Sequence, residues 1–117
     1  TLNFVGIDFH NHPIDATGMT YLHLDVFAPQ GVLFSVKLVN FGGVNGSVNG
    51  QIGIDLTAGT TPAFTPGGWC QLEIPMSAFV FPGGVTPNRL GQLVLSTSDI
   101  PALNTPLVLV DNIYWHR

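Results

Sequence analysis

Charge is what this sequence has least of. Lys, Arg, Asp and Glu make up 9% of its 117 residues, against roughly 25% in an average soluble domain. The fixed cations are Lys37, Arg89 and Arg117, and the formal net charge is -4. Phosphate backbones are gripped by clustered Lys and Arg. Nucleic acid is therefore excluded as a partner, and an anionic membrane surface with it. Long apolar runs are missing too, so no helical segment reads as bilayer-spanning. Gly and Pro interrupt every would-be helical stripe, which limits helix to a turn or two. Cys70 is alone, so an internal disulfide and a Cys-based metal site are both ruled out. It lies in an apolar alternation and reads as a small core residue. No leader-like segment opens the chain. It begins on a strand-like run, as a matured or excised domain would.

What is present is apolar and neutral-polar. The hydrophobic share is 45% and the aromatic share 10%, enough to exclude disorder. Polarity comes from Thr, Ser, Asn, Gln and Gly, a surface suited to neutral ligands or dense assemblies. Residues 1–117 read as one domain, long enough for a core without disulfides.

Nine prolines and fourteen glycines separate short runs of period-two alternation, the signal of strands. The expected strands are Leu2–Phe9, Thr20–Phe27, Val32–Phe41, Gln51–Leu56, Trp69–Ile74, Gly91–Ser96 and Pro106–Trp115. Seven strands with turn-rich links indicate an all-β fold, a β-sandwich or jelly roll of two antiparallel sheets. Inward faces are Leu22/Leu24/Val26, Val32/Phe34/Val36/Leu38, Cys70/Leu72/Ile74 and Leu93/Leu95. The link Ala28-Pro29-Gln30-Gly31 suggests a hairpin. That hairpin sets Asp25 opposite Ser35 and His23 opposite Lys37, facing outward, with Tyr21 and Phe27 at the ends of the patch. The patch reads as a ligand surface, or as a solvated face with a diagonal Asp25–Lys37 pair.

Gly42–Gly50 is a Gly-rich loop with no helix after it, which rejects a phosphate cradle. Its Asn45-Gly46-Ser47 triplet fits a glycosylation sequon and is read as unmodified. Thr57–Gly68 is a second long loop.

Candidate chemistry is sparse. Asp8, His10 and His12 share a parity that suits zinc or copper, and equally a polar strand end before Pro13. Asp111 interrupts the apolar run Leu107–Val110, and an acid there must be hydrogen-bonded, paired or metal-bound. Calcium suits its hard oxygen, with Asp8 as second ligand because first and last strands often neighbour one another; capping of loop N–H groups suits it as well. Catalysis is poorly served. Glycoside hydrolysis needs two carboxylates across a cleft, and Glu73 and Asp25 offer only a flat sheet. A Ser35–His23–Asp25 relay lacks an oxyanion hole. Aromatic faces, by contrast, stack on the C–H faces of pyranoses. Trp69 has the outward parity for this, or else anchors its own loop, and Trp115 leaves the same two readings open.

Three stretches carry a resemblance. Ile14 to Phe27, Phe34 to Gly42, and Gly68-Trp69-Cys70-Gln71-Leu72-Glu73-Ile74-Pro75 with Ser77 and Phe79 resemble the β-jelly-roll domains that accompany secreted bacterial glycanases. Leu90 to Ser96 and Val110-Asp111-Asn112-Ile113-Tyr114 extend the similarity to most of the chain. The resemblance implies a non-catalytic carbohydrate-binding module or accessory domain, secreted with an appended glycanase as part of a larger protein. It implies a polysaccharide partner, such as a β-glucan, and a structural calcium at Asp111. The expected sugar-binding residues are Tyr21, His23, Asp25, Phe27, Ser35, Lys37, Trp69, Gln71 and Trp115. The rival expectation is a spacer domain that packs on a neighbour and binds no sugar.

Overall fold

The computed structural model describes residues 4–30, 32–97 and 107–117. Its strands are β1 (Phe4–Asp8), β2 (Tyr21–Ala28), β3 (Phe34–Asn40), β4 (Gly50–Leu56), β5 (Gly68–Pro75), β6 (Leu90–Thr97) and β7 (Leu109–His116). All seven expected strands are present, with ends displaced by a few residues. Leu2, Asn3, Gly31 and Pro106 lie outside the described residues. Among the described residues helix is limited to the short 3-10 turns Val44–Gly46, Met76–Ala78 and Pro82–Gly84, the first of them inside the loop expected to be irregular.

The strands form two antiparallel sheets, β1-β6-β3-β4 and β5-β2-β7. The pairs β3·β4, β2·β5 and β1·β6 nest one outside the next. That nesting is what a long hairpin gives when it rolls up, which is the jelly-roll arrangement. Between the sheets lie Leu22, Leu24, Val26, Leu72 and Ile74 from one side and Phe34, Val36, Leu38, Leu93 and Leu95 from the other. Leu22, Leu24, Val36, Leu38, Leu72 and Ile74 are 0% exposed. Each such side chain contributes about 1.5–3 kcal/mol on burial. Cys70 is buried among them.

The expected β2–β3 hairpin does not form. β2 pairs with β5 and β7, and β3 with β4 and β6. The link after Ala28 crosses from one sheet to the other and drops Val32, 2% exposed, into the core. The physical reason lies in the inner faces. Those of β2 and β3 are equally apolar, and each covers the other by facing it across the sandwich, not by lying beside it. Asp25 is therefore not opposite Ser35, nor His23 opposite Lys37. Ser35 stands between Asp55 and Ser96, and Lys37 between Gly53 and Val94, on the outer face of the other sheet.

At one end of the core Asn40 is 0% exposed and fully engaged. Its Nδ2 donates to Asn49 Oδ1 at 2.9 Å and Asn88 Oδ1 at 3.2 Å, and its Oδ1 accepts from the Arg89 N–H at 2.9 Å. This amide ties β3 to the loops before β4 and β6.

Candidate functional site

The outer face of β5-β2-β7 gathers the outward residues of three strands into four rows. Register places Trp69, Phe27 and Leu109 side by side, then Gln71, Asp25 and Asp111. Glu73, His23 and Tyr114 follow, then Pro75, Tyr21 and His116. Of the expected sugar-binding residues, Tyr21, His23, Asp25, Phe27, Trp69 and Gln71 thus share one face. Glu73, Asp111, Asn112, Tyr114 and His116 join them. Sequence reasoning missed His116 because β7 had no assigned neighbour.

The rows differ in chemistry. Trp69 is 56% exposed and leans on Phe27 with ring centroids 5.7 Å apart. Gln71 is exposed, and its amide has no hydrogen-bond partner among the described residues. Asp25 is held on both oxygens. Oδ1 accepts from His23 Nε2 at 2.9 Å, and Oδ2 accepts from Asn112 Nδ2 at 2.8 Å.

His23 is the centre of the face and is 8% exposed. Its Nε2 faces Asp25 and its Nδ1 faces Glu73 Oε1. Glu73 Oε2 in turn accepts from His116 Nε2 at 2.6 Å. Desolvation pushes the Glu73 carboxyl up, but hydrogen bonds from His116 and then His23 outweigh it, so its pKa is lowered. The His116 pKa is raised, chiefly by its bond to Glu73.

Around this clamp four rings stack in series. Tyr21 lies on His116 at 5.3 Å, His116 meets Tyr114 at 5.6 Å, and Tyr114 lies on His23 at 4.7 Å. Each tyrosine ring gives one face to a histidine of the series. Of the aromatics on this face, Trp69 is the one most exposed.

Asp111 resolves into local hydrogen bonding. β7 bulges opposite β2 between His23 and Asp25, and Asn112 takes φ 52, a left-handed conformation that Asn tolerates. The extra residue keeps Val110 and Ile113 both inward while Asp111 and Asn112 point out. Asp111 Oδ1 accepts the Asn112 N–H at 2.8 Å. Asp8 is far from it in the fold. It pairs with Gln92 on the outer face of the other sheet and accepts from the backbone N–H and Nδ1 of His10 at 3.0 and 2.6 Å. The two acids expected to share a calcium ion therefore face opposite sides of the sandwich. Among the described residues no group of three or more His, Cys, Asp or Glu is placed to hold a metal.

Trp115 is also placed differently from the ligand-facing expectation. Its ring packs against the core and meets Phe9 edge-on at 6.2 Å, and its indole Nε1 is buried without a partner. Parity decided this: Trp115 alternates with Tyr114 and His116, which face out.

A shallow recess of about 190 Å³ lined by Val32, Leu33, Thr57, Ala58, Phe64 and Pro66 is apolar and carries no acid or base.

The class these features define is an antiparallel β-sandwich with an aromatic and carboxylate–histidine outer face. No protein-family model, curated protein or solved structure matches the chain.

Proposed function

We propose that this domain binds a neutral polysaccharide, such as a β-glucan, on the outer face of β5-β2-β7, without catalysis. The single observation that carries the reading is Trp69, 56% exposed, beside the unengaged amide of Gln71 and the fixed carboxylate of Asp25. An exposed indole supplies the stacking surface, and the adjoining amide and carboxylates take sugar hydroxyls as donors. β5, β2 and β7 hold no Lys or Arg, so a polyanionic glycan would find no fixed cation on these strands and would face the carboxylates of Asp25, Glu73 and Asp111. Export with an appended glycanase, and a structural calcium at Asp111, belong to the same reading through the resemblance of the sequence. A single module binds modestly, and its value lies in tethering an enzyme to its substrate.

The test is retention of the protein on insoluble β-glucan, cellulose, xylan, mannan and chitin. Binding to at least one, lost in Trp69→Ala, is expected. Failure on all five removes the proposal.

A second reading has its own observation. On the edge strand β1, Phe4 is 58%, Val5 55% and Ile7 41% exposed, an apolar edge suited to packing on a neighbouring domain. If the glycans all fail, a spacer role on that edge becomes the better account.

A further inference from the structure

Groups without a hydrogen-bond partner among the described residues run along the whole proposed face, one in each row: the indole of Trp69, the amide of Gln71, and the hydroxyls of Tyr114 and Tyr21. Trp69, Tyr114 and Tyr21 are 56%, 47% and 36% exposed. Beside them runs the Asp25–His23–Glu73–His116 network, whose polar atoms are largely spent on one another. Trp69 is the cross-strand neighbour of Phe27, and Tyr21 lies on the same strand as Phe27. At about 3.3 Å per residue, the separation between Phe27 and Tyr21 is about 20 Å, longer than one sugar ring.

The two ends also offer different chemistry. Trp69 has a ring face to stack on. Tyr21 and Tyr114 each give one face to a histidine, His116 and His23, and add their hydroxyls to the surface. Resting on the glycan-binding reading, we infer that the face takes an extended neutral chain lengthwise. One ring stacks on Trp69, and later rings reach the hydroxyls of Tyr114 and Tyr21. The ligand class is an oligosaccharide chain and not a single sugar.

Titration calorimetry of the protein with cello-, laminari-, xylo-, manno- and chito-oligosaccharides tests this, using the two-unit and six-unit members of each series. In the series that binds, the six-unit ligand is expected to bind at least about tenfold more tightly than the two-unit ligand, a difference of about 1.4 kcal/mol. The double variant Tyr21→Phe/Tyr114→Phe keeps both stacked rings and removes only the hydroxyls. It should lose that tenfold gain and keep the two-unit affinity. Trp69→Ala should weaken both. Equal affinity for the two lengths, or a double variant that retains the gain, overturns the lengthwise inference and leaves glycan binding standing. If neither length of any series binds, the glycan-binding reading falls and this inference falls with it.

Discussion

The two tryptophans offer the sharpest test of the fold and of the face together. Trp115→Ala removes a ring that packs on the core and on Phe9. Full burial would put the loss at about 3–5 kcal/mol. Trp115 is only half-buried, and its buried Nε1 lacks a partner. An unsatisfied donor already costs about 1–3 kcal/mol, and that cost disappears with the ring. The expected loss is therefore about 2–3 kcal/mol. Trp69→Ala removes an exposed ring, and exposed changes usually stay within about 0.5 kcal/mol. Its tilted contact with Phe27 adds at most about 0.5–1 kcal/mol.

Urea unfolding separates the two. With a slope of about 1–3 kcal/mol/M, Trp115→Ala should lower the midpoint by about 1–2 M and Trp69→Ala by less than about 0.5 M. Each variant also leaves one tryptophan as its own fluorophore. The Trp69 left in Trp115→Ala should be quenched readily by acrylamide, and the Trp115 left in Trp69→Ala should be shielded. Glycan retention should run the other way, lost in Trp69→Ala and kept in Trp115→Phe. Equal destabilisation by the two alanine variants, or a Trp115 quenched more readily than Trp69, would refute the assignment of inner and outer faces.

Further outcomes follow from the hydrogen bonding. Glu73 has a lowered pKa, so its contribution to stability is present above its ordinary 4.5 and lost as pH falls through the folded value. His116 has a raised pKa, so its contribution is full below its ordinary 6.5 and lost as pH rises through the folded value. The pair therefore helps most between pH 4.5 and 6.5, and Glu73→Gln should lower the melting temperature most inside that window and less on either side of it; parallel pH profiles for both proteins would count against the clamp. Asn40→Ala strands Asn49, Asn88 and the Arg89 N–H and should cost about 1–3 kcal/mol in urea unfolding. Asp8→Asn should leave any response of the melting temperature to calcium or chelator as in the unaltered protein, since Asp8 and Asp111 face opposite sides of the sandwich; a lost response would restore the shared site.

Alternation is a property of one strand, and the sequence carries it in full. Cys70, Leu72 and Ile74 point inward and Trp69 and Gln71 outward whichever strands flank β5, because period two needs no neighbour. That is why the strands and their inward faces were legible. Pairing is a property of two strands, and there the sequence misled. Ala28-Pro29-Gln30-Gly31 has the composition of a tight turn, but composition does not distinguish a turn that keeps the chain in its sheet from one that carries it to the opposite sheet. The bulge at Asp111-Asn112 was hidden for a related reason. A bulge breaks the period by one residue, and the break read as an acid inside an apolar strand.

The same distinction explains which site residues came together. His23, Asp25, Tyr21 and Phe27 were grouped by parity on β2, and they share a face. Ser35 and Lys37 were added by an assumed neighbour, and they belong to the other sheet. The true neighbours of Asp25 and His23 are Gln71, Glu73, Asp111 and Tyr114. This exchange changes the chemistry of the face. With Lys37 opposite His23, the face would have carried a fixed cation and could have met an anionic glycan. With Glu73 there instead, the face carries three carboxylates and no Lys or Arg. That is why the proposed ligand is a neutral chain and not an anionic one.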